Sequence, residues 1–367
     1  MDIIPKELTT DFVDMLQKIH FDTLPISDYN KKYIRRILPK MDYYADIYFK
    51  IVERYIEEEK LFPAKDTVVD YGGGHGFLSI FLKIRGISRV IYVDKNPESV
   101  AAASTIKDAV GLGADVFLCG EEEELIDWCR ANGVKPSLLI GLDVIEHIYD
   151  LEKYLGNLFT EFTEMYHCYT TASVEKNIFK TRKLKKQMYL DEYGTATKQG
   201  YFDMRKQFIM KEYPSLSDQE VNLWAADTRG MNYHDISKAL ELGMDVKPMD
   251  DYNTCDPETG NWTERILSDI DYIVLALKFG SMAMCSSGHY NEHNKGIKKI
   301  VAKMLNMLME KKYFNIHIRP FTYIQMPSPA SWRRTKENLK IFFKEEYDEI
   351  MSEKTEKDKN NNNDDND

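Results

Sequence analysis

Apolar residues recur along this chain with two different periods, and the switch between them predicts its architecture. From Asp28 to Tyr55 they return every three or four positions, as in Tyr33, Ile34 and Ile37, then Tyr44, Ile47, Tyr48 and Ile51. That spacing predicts helices with one covered face, and Pro39 separates two of them. From Thr67 the pattern changes to short, largely apolar runs bounded by glycine and polar residues, at Thr67–Val69, Val90–Val93, Val116–Leu118 and Leu138–Leu142, with Met165–Ala172 read as a fifth strand. Runs of this kind, alternating with helical stretches, predict strands buried on both faces of a parallel sheet. Val246 is read into a sixth strand and Ile270–Phe279 as the last one.

The first run leads into the stretch around which the chain is organised, Asp70-Tyr71-Gly72-Gly73-Gly74-His75-Gly76. A carboxylate ends a strand, four glycines follow in five positions, and an apolar helical pattern opens at Phe77. Glycines there let main chain approach a ligand at a helix N-terminus. The second strand ends at Asp94, 24 residues after Asp70, close to the spacing at which an acid meets ribose hydroxyls in nucleotide-binding α/β folds. The glycine turn holds no lysine, which argues against a Walker-type phosphate loop. Asp70-to-Asp94 spacing fits NAD as well, although the carboxylate ahead of the first glycine and the strand-four Asp143 favour a sulfonium donor.

With these residues the chain resembles the class I S-adenosylmethionine (SAM) dependent methyltransferases. Asp70-x-Gly72-x-Gly74-x-Gly76 is similar to their first motif, and Asp143-Val144-Ile145-Glu146-His147 is similar to the strand-four motif of quinone-biosynthesis-type O-methyltransferases. The resemblance covers residues 60–173 and, more loosely, 230–280. It implies a Rossmann-like seven-stranded methyltransferase sheet of α/β class, with SAM held by Asp70, Gly72, Gly74, Gly76, Asp94, Asn96 and Asp143. It also implies that N-terminal helices roof the substrate pocket and supply Tyr44 and Tyr48.

Asp143, Glu146 and His147 stand at i, i+3 and i+4 and share a side if a helical turn follows the strand. Metal-dependent relatives hold a divalent ion with a similar set, whereas many metal-free relatives keep the Glu-His pair for structural reasons, and the metal-free reading is preferred. His167 and His234 are further ligand candidates by elimination. His147 or His234 suits a general base, because imidazole titrates near neutrality.

Four regions are expected: a helical cap at 1–60, a catalytic core at 61–280, a C-terminal appendage at 281–351 and a disordered tail at 352–367. A helical lid is inserted at 174–230. Its basic opening includes Lys183 and suggests an anionic acceptor. Cys285, His289 and His293 are spaced in fours, but Gly288 weakens the helix that would align them on zinc. The appendage carries twelve Lys/Arg against two Glu between 295 and 344.

Composition narrows the classes further. A 367-residue chain with 43% hydrophobic and 12% aromatic residues can build a sizeable core. It has no membrane-length apolar run and no basic-then-apolar leader. Five cysteines without paired spacing suit a reducing, cytoplasmic setting. A net charge of −11 disfavours a general nucleic-acid binder. The expected activity is methyl transfer to an oxygen or nitrogen of a small or carrier-linked, anionic acceptor. RNA or protein methylation through the basic appendage, or a non-catalytic SAM-binding scaffold subunit, are the alternatives. Oligomeric state is left open.

Overall fold

The structure, a computed structural model, describes residues 6–59 and 65–334; the tail expected at 352–367 lies outside them. The N-terminal helical layer is α1 (Lys6–Gln17), α2 (Asp28–Ile37) and α3 (Met41–Glu59), with a 3-10 turn at Leu38–Lys40 where Pro39 was expected to break the helix. Ser27 starts α2 by accepting from the Asn30 backbone N–H. Phe12 of α1 meets the rings of Phe81 and Tyr48 at 5.4 and 6.1 Å. Each such side chain taken out of water contributes about 1.5–3 kcal/mol.

Five parallel strands follow, β1 (Thr67–Tyr71), β2 (Arg89–Asp94), β3 (Val116–Cys119), β4 (Leu138–Leu142) and β5 (Tyr166–Thr171). Every residue of β1 and β5 is buried, the polar Asp70, His167, Thr170 and Thr171 included. The crossovers are α4 (Phe77–Ile84), α5 (Pro97–Val110), α6 (Glu122–Asn132) and α7 (Leu151–Glu161). The acidic run starts α6 as expected, with Glu121 and Glu124 forming a capping box. The N-terminal layer, α4 and α5 cover one face of the sheet; α6 and α7 cover the other.

The insertion after β5 is helical: α8 (Ile178–Tyr193), α9 (Tyr201–Glu212) and α10 (Asp218–Asp227), then α11 (Tyr233–Glu241). Its small apolar core, Ile209, Val221, Ala225 and Ile236, is joined by a fully buried ion pair. Arg205 Nη2 lies 2.5 Å from Glu192 Oε1, with side chains 0% and 3% exposed.

The far edge of the sheet departs from the sequence reading. Ile270–Phe279, expected as the last strand, is the helix α12 (Asp269–Lys278). Ser268 and Asp271 cap it reciprocally, Tyr272 and Ala276 are buried, and Ile270, Val274 and Leu277 face out. A β-branched run therefore repeats at the helical period and has no strand alternation. Val246 belongs to no strand. The last two strands come from the region expected to be an appendage: β6 (Met284–Ser287) and β7 (Thr322–Met326), separated by α13 (Ile297–Met309) and α14 (Lys312–Ile318). β7 runs antiparallel between β5 and β6 and closes the order β3-β2-β1-β4-β5-β7-β6. The region expected as an appendage thus supplies two strands of the seven-stranded α/β sheet.

Candidate active site

Strand order reverses between β1 and β4, and a cavity of about 470 Å³ opens at their carboxyl ends, where open α/β sheets bind ligands. The glycine turn forms its floor. Gly72, Gly74 and Gly76 have φ of +66°, +55° and +72°, values L side chains rarely adopt. A Cβ on Gly72 would strike Val144, whereas one on Gly74 would meet no protein atom.

Two carboxylates hold the turn in place. Asp70 Oδ2 accepts from the Ser79 N–H and hydroxyl at 3.0 and 2.6 Å, tying the end of β1 to the first turn of α4. Burial pushes the Asp70 carboxyl up to about 7 despite those bonds. At the end of β2, Asp94 accepts from Gly74 N through Oδ2 at 3.0 Å and from Asn96 N through Oδ1 at 2.9 Å. The Tyr92 hydroxyl donates to Gly74 O at 2.6 Å. Asn96 caps α5 and also reaches the cavity. Asp70, Gly72, Gly74, Asp94, Asn96 and Asp143 thus line one cavity, while Gly76 sits just behind it as the N-cap of α4.

The roof is aromatic. Tyr29 and Tyr33 of α2 and Tyr44 and Tyr48 of α3 line it. Tyr33 stacks on His75 with ring centroids 4.6 Å apart, and the Arg36 guanidinium covers Tyr33 at 4.6 Å. Burial, followed by the Arg36 charge, lowers the His75 imidazole to about 4. Burial raises the Tyr44 phenol to about 12, with the Asp143 carboxylate acting in the same direction.

At the exit of β4, Asp143 has φ +52°, the one non-glycine residue with positive φ among the described residues. Its N–H donates to Thr170 O at 3.0 Å. The expected helical turn follows as a 3-10 turn at Ile145–His147. His147 lines the cavity, and its Nδ1 lies 2.8 Å from Trp262 O. A carbonyl only accepts, so Nδ1 carries a proton, and in the neutral ring the lone pair is on Nε2. Burial, then the Asp143 charge, raises the Glu146 carboxyl well above its usual range. Ligand atoms of Glu146, His147 and Glu264 lie within 4.8 Å of one another, a group that does not include Asp143. Trp262 N donates to His147 O and Arg265 N to Glu146 O, so the loop after α11 clamps this turn from the side.

Other expected site residues are not gathered here. His234 is exposed on α11 and Lys183 on α8, and neither lines the cavity. The residue of the basic stretch that turns inward is Lys180: burial lowers its amine while Asp143 and Glu264 oppose that shift. His167 is buried in β5, its Nδ1 3.0 Å from the Tyr169 hydroxyl. His289 meets Lys50, and His293 Nε2 lies 2.7 Å from Asp46 Oδ2, so the Cys285–His289–His293 spacing gathers no metal group among the described residues. Glu264, Asn261, Tyr33 and His75 were not singled out from sequence. The first two arrive on an irregular loop more than a hundred residues beyond β4, and nothing local marks them. The helical period, by contrast, already placed Tyr33 on the covered face of α2.

No protein-family model matches the chain, and no curated protein matches it. Among solved structures it is similar to the plantazolicin methyltransferase BamL in complex with a triazolic desmethylPZN analog and SAH, at 10% identity, 89% of this chain, 100% of that one and a TM-score of 0.40. It is also similar to PKMT2 from Rickettsia typhi, at 13% identity, 73% of this chain, 50% of that one and a TM-score of 0.40. The match to SMU.776 complexed with SAH has 14% identity and a TM-score of 0.27, and covers 33% of this chain and 35% of that one. The chain thus spans about a third of one of these proteins and half of another.

Proposed function

We propose that the chain is a SAM-dependent methyltransferase acting on an oxygen or nitrogen of a small or carrier-linked acceptor. The observation that carries the reading is the clamp of Asp94 on Gly74 beneath the cavity. It sets an acid with ribose-binding placement directly beside backbone that no side chain shields. The walls suit a cation with no phosphate: Asp70, Asp94, Glu121 and Asp143 outnumber Lys95 among the charged side chains. The bound donor would supply an electrophilic methyl group for in-line displacement.

The residues of this chain then have separable tasks. Asp94 and Asn96 would hold the ribose end, and the glycine turn would pass beneath the donor. Asp70 would keep that turn in place through Ser79. The tyrosine roof would exclude water and align an acceptor ring, in keeping with the likeness of Asp143–His147 to quinone-type O-methyltransferases. His147 Nε2, fixed as the acceptor nitrogen by Trp262, would take the acceptor proton. The anionic preference rests on the basic opening of the insertion, Lys176 to Lys186, none of which lines the cavity, so no acceptor charge is proposed. The metal-free reading is kept as the working one, although the Nδ1 bond to Trp262 leaves Nε2 of His147 able to ligate. An ion held by Glu146, His147 and Glu264 would otherwise polarise the acceptor oxygen.

The test is calorimetric titration of the full chain with SAM and with S-adenosylhomocysteine. Saturable binding of both, lost in Asp94→Asn, supports the reading. Absence of binding in a folded chain overturns it.

A further inference from the structure

Helix α13 shows two faces to its surroundings. Inward, Ala302 and Met309 are buried. The Asn306 side chain accepts from Tyr290 N at 2.7 Å and donates to Tyr290 O at 3.0 Å and to Glu292 Oε1 at 2.7 Å. Those three bonds fix the rotation of the helix, so its outward face is set by the fold. Outward lie Ile297, Ile300, Val301, Met304 and Met307, which are 79%, 68%, 42%, 50% and 60% exposed. At 100° per residue they form one stripe about 120° wide. Single exposed apolar residues are ordinary, whereas five on one stripe mark a surface that something covers.

Charge says what covers it. Lys298, Lys299 and Lys303 are exposed on both flanks of the stripe, Lys295 precedes the helix, and no acid occurs from Lys295 to Met309. Lysine stems lie along apolar surface while their ammonium groups reach outward to anions. α12 provides a control within the same molecule. It also exposes an apolar stripe, Ile270, Val274 and Leu277, but Asp269 and Asp271 occupy its first turn.

From this we propose that the outer face of α13 seats on an anionic lipid surface, the apolar stripe entering the headgroup boundary and the flanking lysines pairing with lipid phosphates or carboxylates. With 13 residues the helix lies along the surface and is too short to span a bilayer. The chain as a whole carries −11, so the α13 face is the orientation that an anionic surface selects. This inference is independent of the methyl-transfer reading.

The test is co-sedimentation of the full chain with vesicles of phosphatidylcholine alone or with a third phosphatidylserine, alongside sedimentation velocity without lipid. The proposal expects retention on the anionic vesicles that falls as salt rises. Ile300→Asp with Met304→Asp should reduce it by about tenfold or more, and Lys298→Glu with Lys303→Glu should erase the preference for phosphatidylserine. Unchanged circular dichroism and melting temperature in these surface variants certify the fold. Three results overturn the proposal: no retention on either vesicle, a dimer that the aspartate pair dissociates without any lipid binding, or retention on single-stranded RNA but not on vesicles.

Discussion

Gly74 donates its backbone N–H to Asp94 Oδ2 at 3.0 Å, across twenty residues of chain. One carboxylate therefore shapes the glycine turn and faces the cavity above it. Asp94→Asn keeps an oxygen that can accept from Gly74 but removes the charge that would receive ribose hydroxyls. The expected outcome is a stable protein whose melting temperature no longer rises with SAM. Charge-assisted bonds contribute about 1.5–3 kcal/mol each, so affinity should fall at least tenfold in calorimetry.

Asp143 holds a left-handed backbone at φ +52°, and its charge adds to the burial that raises the Glu146 carboxyl. Such residues cost about 1–2 kcal/mol and persist at functional sites. Asp143→Gly should therefore raise unfolding free energy by about 1 kcal/mol in denaturant titration. It should lower methyl transfer at the same time. A variant that loses stability would show that the carboxylate has a structural role.

His75 is kept neutral in the fold, its imidazole lowered to about 4 by burial and by Arg36. The unfolded chain takes up a proton near pH 6.5 and the folded one does not, so acid favours unfolding. Stability tied to this residue is complete above pH 6.5 and is lost as pH falls toward 4, by up to about 3 kcal/mol. His75→Phe keeps the stack on Tyr33 and should flatten the pH 4–6.5 limb of the stability curve.

The Arg205–Glu192 pair is buried in the insertion, and Glu192 also accepts from Thr254 Oγ1 at 2.7 Å and from Arg229 Nε at 3.3 Å. Arg205→Met leaves the buried Glu192 carboxylate with Arg229, at 3.3 Å, as its remaining cation and should cost about 3 kcal/mol. Arg205→Met with Glu192→Leu should cost clearly less, because that buried carboxylate is gone. Equal losses in thermal melts would show that shape matters more than charge here.

Wherever side chains or strand caps depend on near neighbours, the amino-acid order already determined the outcome. The strand–glycine–helix unit at Asp70–Phe77, the acid at Asp94, the capped start of α6 and the helical insertion are each written within about twenty residues, because period, glycine φ and caps are local properties. Contacts between distant segments determined the rest. Ile270–Phe279 carries a β-rich composition, yet the packing of Tyr272 and Ala276 into the core on one face of the sheet makes it a helix. β6 and β7, four and five residues long, hold too few positions to show a period and exist by pairing with β5 and each other. Glu264 and Asn261 sit on a loop that the bonds of Trp262 N to His147 O and Arg265 N to Glu146 O bring to the site, while His234 and Lys183 point to solvent because their helices bury other faces. Residue spacing constrains one turn of backbone at a time; the direction a side chain faces across the fold is set by what the packed layers leave open.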